Sequence, residues 1–166
     1  ALEIGTAGSL VFEGATPNDF ETTLAVTDPT ADRTITLPNA TGTVPLLSLA
    51  QTFTAAQRGT ISAISVASGD TTKTLDFATA NNFALTLANT ASCTLSNPSN
   101  LTAGQSGSIF VVQDATGGRL LTYDSQWDFA GGTAPTLSTA ASAVDRIDYV
   151  VRTTSSIHAV FTAAYS

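Results

Sequence analysis

The sequence predicts an all-β protein, and three observations carry the prediction. Thr is the commonest residue, with 29 copies beside 26 Ala and 16 Ser. Thr is β-branched and stiff at χ1, so it favours extended backbone over helix. Apolar and polar residues alternate over short runs, cleanly in Thr34-Ile35-Thr36-Leu37. Turn signals such as Asp28-Pro29, Asn97-Pro98 and Gly117-Gly118 separate the runs. Apolar residues at a 3.6-residue spacing, the mark of an amphipathic helix, are almost missing.

The chain is expected to divide near residue 50. Residues 1–50 hold four of the six Pro, which end strands early or confine them to edges. Short strands are predicted there at 10–13, 22–27, 33–37 and 43–47. This half carries Leu10, Phe12, Phe20, Val26, Ile35, Leu37 and other large apolar residues. Strands this short in so few residues cannot enclose them. The expected solution is an intertwined oligomer in which copies of the chain complete one another's core. Packing on the rest of the same chain is the alternative. Residues 51–59 (Gln51 to Gly59) form the one plausible helix, a short joint that Thr52 or Thr54 can cap and Gly59 can stop.

Residues 60–166 read as a β-sandwich or jelly-roll-like domain. Strands are predicted at 60–66, 72–76, 82–87, 93–96, 107–113, 120–123, 146–152 and 156–161. A hairpin over 109–123 has Gly117 and Gly118 for positive φ. A second hairpin ends the chain, with Ile147, Tyr149 and Val151 on one face and Ile157, Ala159 and Phe161 on one face of the return strand.

Composition excludes several functions. Only 11% of residues are charged, against roughly 25% in an average domain. The net charge is −7 with six basic residues, so a nucleic-acid surface is not expected, because phosphate contacts need clustered Lys and Arg. No run approaches the length of a membrane span, so no membrane insertion is expected. A single Cys, Cys93, cannot form an internal disulfide, and with the single His158 it cannot build a structural zinc site. Neither metal nor cofactor is expected. The chain starts at Ala1 and has no Met, so it reads as a fragment or a trimmed product.

The run Gly8-Ser9-Leu10-Val11-Phe12-Glu13-Gly14, followed by Glu21-Thr22-Thr23-Leu24, Asp28 to Pro38 and Thr41-Gly42-Thr43-Val44, resembles shaft segments of tail fibres and related structural proteins of tailed bacteriophages, including cyanophages. Gln51 to Gln57, Asn100 to Gly107 and Trp127 to Thr136 resemble a distal domain of phage and prophage fibre proteins. The resemblance covers nearly the whole chain. It implies residues 1–50 as a β shaft or attachment segment and residues 60–166 as a head. It further implies a homotrimer and a place in the virion, assembled in the bacterial cytoplasm. The implied partners are other virion proteins, through the N-terminal part, and a host-surface glycan or outer-membrane protein. A capsid-attached head fibre or decoration protein is the alternative, and a glycan depolymerase a third.

No enzyme is expected. His158 is the only imidazole, and no Gly-x-Ser-x-Gly elbow accompanies it. Asp124 and Asp128 flank Trp127; paired carboxylates can hydrolyse glycosides or hold calcium, and a polar loop is the plainer alternative. Trp127, Tyr123 and Tyr149 can form a sugar-stacking platform, or they can pack in a core that has few aromatic residues. The candidate ligand contacts are therefore Trp127, Tyr123, Asp124 and Asp128. Asp145 and Asp148 flank Arg146, which favours a local ion pair over a metal site. Asn39 and Asn100 match the glycosylation sequon by chance.

Overall fold

The computed structural model describes residues 9–37, 39, 41, 44, 50, 52–53 and 56–165. It divides into two compact units, Ala1–Thr52 and Phe53–Ser166. Within the first, β1 (Ser9–Glu13) and β2 (Glu21–Ala25) pair antiparallel with Leu10 opposite Leu24. Between them the Asn18 Oδ1 accepts the Phe20 N–H at 2.8 Å, a local turn bond that reverses the chain. The expected strand at 33–37 does not form: those residues pair with no strand among the described residues, and Ile35 is 88% exposed. Alternation prepares a strand, but a ladder needs a neighbour, and the described chain supplies none there. The expected strand at 43–47 lies outside the described residues except for Val44. Of the expected helix at 51–59, residues 51, 54 and 55 lie outside them, and the described remainder is not helical.

The second unit has two sheets around one core. A six-stranded sheet has the order β3 (Ile61–Val66), β5 (Asn82–Leu87), β7 (Ser106–Gln113), β10 (Val144–Thr153), β11 (Ser156–Thr162), β9 (Trp127–Phe129). A three-stranded sheet holds β4 (Thr72–Lys73), β6 (Cys93–Leu95) and β8 (Leu121–Tyr123). The all-β expectation holds, and every strand predicted in this unit is present to within a few residues.

The connections do not follow the antiparallel order of a jelly roll. From β3 to β8 the chain alternates between the sheets, and β3, β5 and β7 run parallel, as do β4, β6 and β8. Successive turns of the chain stack, with Phe83 beside Ile109 and Cys93 beside Leu121. The antiparallel β10–β11 hairpin then closes the larger sheet, with β10 paired to β7. Phe83, Leu85, Ile109, Ile147 and Ile157 from the larger sheet meet Leu75, Cys93 and Leu95 in a single buried cluster.

The expected 109–123 hairpin is instead a corner between sheets. The Asp114 Oδ1 accepts the N–H groups of Thr116 and Gly117 at 3.0 and 2.8 Å, and Arg119 grips the same carboxylate. Gln113 bonds both the N–H and the carbonyl of Arg119, so its side chain does the work of a strand partner. Gly117 has φ +73°, and a Cβ there would lie 2.5 Å from the Thr139 carbonyl oxygen. The bend is thereby fixed, and β8 is delivered to the smaller sheet.

Candidate functional site

The four residues singled out from the sequence lie together on β8, β9 and the turn between them. They do not form an open platform. Trp127 is 6% exposed, and its Nε1–H donates to the Ser96 carbonyl at 3.2 Å. Its ring meets Phe77 and Tyr123 edge-on, each with centroids 6.4 Å apart. Tyr123 stands against Phe129 at 4.7 Å. The Tyr123 hydroxyl is buried with no hydrogen-bond partner among the described residues. Burial, and then the negative charge of Asp145, pushes this phenol well above its ordinary pKa. Trp127 and Tyr123 are therefore packing groups. Tyr149 is also buried, and its hydroxyl donates to the Asn81 carbonyl at 2.7 Å. Burial lifts the Tyr149 phenol to about 12.

Asp124 and Asp128 are exposed. The Asp124 carboxylate accepts the Ser125 N–H at 2.8 Å, and Asp128 accepts the Ser156 hydroxyl at 2.6 Å. His158 lies opposite Asp128 in the parallel β11–β9 pairing. Ser156 bonds Asp128 directly, so the imidazole does not stand between them as a base would. Arg146 pairs with Asp148 at 2.8 Å, as the sequence led us to expect. Asp145 departs from that pattern: it is buried and accepts the N–H groups of Ser138 and Ala164 at 2.7 and 2.9 Å. Cys93 is a buried free thiol, raised in pKa mainly by that burial. Among the described residues no group of three His, Cys, Asp or Glu side chains is placed to hold a metal.

The recess that sequence reasoning missed lies elsewhere. An open cleft of about 510 Å³ is lined by Gln57, Arg58, Thr60, Thr79, Asn81, Asn82 and Ser106, with Phe77 among the apolar walls. Its floor is held from behind. The Gln105 Nε2–H donates to the Phe77 carbonyl at 2.8 Å and to the Asn81 Oδ1 at 2.9 Å. The Asn82 Oδ1 accepts the Ser108 N–H at 3.1 Å. Gly107 has no Cβ, and one placed there would lie 1.7 Å from the Asn81 carbonyl oxygen. The loop after β4 thus sits directly on the β7 backbone. Asp76, at the start of that loop, accepts the Asn100 side-chain N–H at 2.7 Å and the Ala78 N–H at 3.0 Å, and both bonds lower its pKa. Among the described residues the lining contains no carboxylate and no imidazole. The adjacent amides Asn81-Asn82 were the one available sequence signal, and of the two Asn82 read there only as the start of a strand.

Residues 67–153, just over half of the chain, match the model of the family described as "Putative phage tail fibre C-terminal domain". The chain belongs to this family. The matched segment of the tail fibre domain runs from the end of β3 to the end of β10 and takes in Asn81, Asn82 and Ser106 of the cleft. No curated protein and no solved structure matches the tail fibre chain. A tail fibre domain makes the protein a virion component with a structural role in the fibre. Among the described residues no helix is long and apolar enough to cross a membrane.

Proposed function

We propose that the chain is part of a homotrimeric tail fibre or spike that attaches the virion to the host surface without catalysis. The observation that carries this is the tail fibre family match over residues 67–153. The first unit supports the trimer. Phe20, Val26, Ile35 and Leu37 are all at least 75% exposed in the single chain. A two-stranded hairpin with such residues around it is not stable alone in water. Neighbouring copies are the natural cover. In the assembled fibre, three weak sites on one rod gain avidity through effective concentration. A binding role rather than a hydrolytic one is supported by the cleft lining, which among the described residues has no general acid or base. The ligand is a host glycan or outer-membrane protein.

The test is twofold. Light scattering of the intact chain should give three times the 16.9 kDa protomer mass. The purified chain should also compete with the phage for adsorption to its host. A monomer mass overturns the trimer, and failure to compete overturns attachment. Antibody labelling of the head rather than the tail in intact virions would move the protein to the capsid.

A further inference from the structure

We propose that the cleft beside Asn81 and Asn82 binds a neutral saccharide, held through its hydroxyl groups. This rests on the attachment function proposed above and names the chemistry of its ligand. Two of the amides in the lining are set in place by the protein. The Gln105 Nε2 donates to the Phe77 carbonyl at 2.8 Å, so the Asn81 atom it also reaches at 2.9 Å is the acceptor Oδ1. The Ser108 N–H fixes the Asn82 Oδ1 in the same way at 3.1 Å. The NH₂ group of each side chain is left for a ligand. The Asn82 Nδ2 lies 3.7 Å from where a Cβ on Gly59, which also lines the cleft, would be. The Thr79 hydroxyl is set the opposite way. Its proton goes to the Asp76 carbonyl at 2.7 Å, which leaves the oxygen as an acceptor. These groups are held before a ligand arrives, so binding orders few side chains.

The rest of the lining is mixed in the same sense. The Gln57 carboxamide and the Thr60 and Ser106 hydroxyls each donate and accept. Fixed donors beside a fixed acceptor call for a ligand whose polar groups do both, and a sugar hydroxyl does both. Other ligand classes fit less well. Arg58 is the one charged side chain of the lining among the described residues, and the net charge of −7 repels a polyanion. With no carboxylate in that lining, a cation finds no counter-charge. A lipid or a peptide side chain needs an apolar pocket to enter. Phe77 is only 3% exposed, and Ala78 and Ala80 are small. The open shape suits one or two rings of a chain that continues past the site.

Binding to the intact chain is measured by calorimetry with neutral glucan, mannan and galactan oligosaccharides. The O-methylated form of each and a hexuronate oligosaccharide of the same length serve as controls. At least one neutral probe is expected to bind about tenfold or more tightly than its O-methylated form, which accepts hydrogen bonds but cannot donate one to Thr79. That probe should also bind more tightly than the hexuronate, with the same affinity at low and high salt. Thr79→Val and Thr60→Val should each weaken it about threefold or more, and thermal melting verifies that both variants fold. No binding of any neutral probe, equal affinity for the O-methylated form, preference for the hexuronate, or binding unchanged in both variants overturns the assignment. Adsorption competition is run in parallel. If the chain competes with the phage while no neutral probe binds, the cleft assignment fails and attachment stands. If a neutral probe binds as expected but the chain does not compete, attachment fails and the cleft assignment stands.

Discussion

Gly107→Ala tests how the cleft floor is built. The added methyl would lie 1.7 Å from the Asn81 carbonyl oxygen, 2.7 Å from its carbon and 3.0 Å from the Tyr149 hydroxyl. Ordinary contact begins near 3.4 Å. The Asn81 peptide must therefore move by more than a bond length, and its 2.7 Å bond from Tyr149 cannot survive that shift. Leaving the phenol buried without its acceptor costs about 1–3 kcal/mol. Displacing packed backbone adds about 1–3 kcal/mol. We expect a total loss of about 2–6 kcal/mol, which for a domain of this size lowers Tm by about 8–24 °C. Thermal unfolding followed by circular dichroism is the assay, with the exposed neighbour Ser106→Ala as a control expected to stay within about 0.5 kcal/mol. Adding Tyr149→Phe to Gly107→Ala should recover part of the loss, since the two changes share one bond. A Tm fall of less than about 2 °C for Gly107→Ala would show that the Asn81 peptide is not seated on residue 107.

Tyr123→Phe removes a hydroxyl that is buried without a partner, so stability should stay level or rise by about 1 kcal/mol in denaturant titration. The Tyr123 and Tyr149 phenols both ionise later in the folded chain than at the ordinary value of 10.0. Above pH 10 the unfolded chain releases protons that the folded chain keeps, so stability is full below that pH and falls as pH rises toward 12; each Tyr→Phe variant should flatten this slope. Hydrogen bonds from Arg119, and then from the Gly117 and Thr116 N–H groups, hold the Asp114 carboxyl below its ordinary 3.8. That contribution is present above 3.8 and is lost as pH falls through the lower folded value, so Asp114→Asn should reduce Tm at neutral pH and weaken the acid dependence. Trp127→Ala should cost about 3–5 kcal/mol in urea titration. The fluorescence of the single, buried Trp should be blue-shifted and unchanged by added saccharide, whereas quenching by saccharide would restore the stacking platform.

Composition and residue alternation alone establish that this protein is all-β, where most head strands lie, and which way their side chains face. Residues 82–87 alternate so regularly that the strand has the same bounds in sequence and structure. In the last hairpin Ile147, Tyr149, Val151, Ile157 and Ala159 are buried as their spacing requires. Alternation is a property of the single strand, set by its two-residue period, and it survives any choice of neighbour. Pairing is different, because it joins residues far apart in the chain. Cys93–Leu95 has the same pattern whether it pairs parallel or antiparallel, so only the tertiary structure placed it between β4 and β8. The Gly117-Gly118 turn permits a hairpin or a corner, and the grip of Arg119 on Asp114 and the contact with Thr139 made it a corner. Trp127 has the residue type of a sugar platform and of a core plug, and it became a plug because Phe77 and Ser96, distant in sequence, close over it. The cleft was beyond the reach of sequence for the same reason. Arg58, Asn81, Asn82 and Ser106 carry no local motif, and only the stacking of successive turns of the chain brings them to one surface.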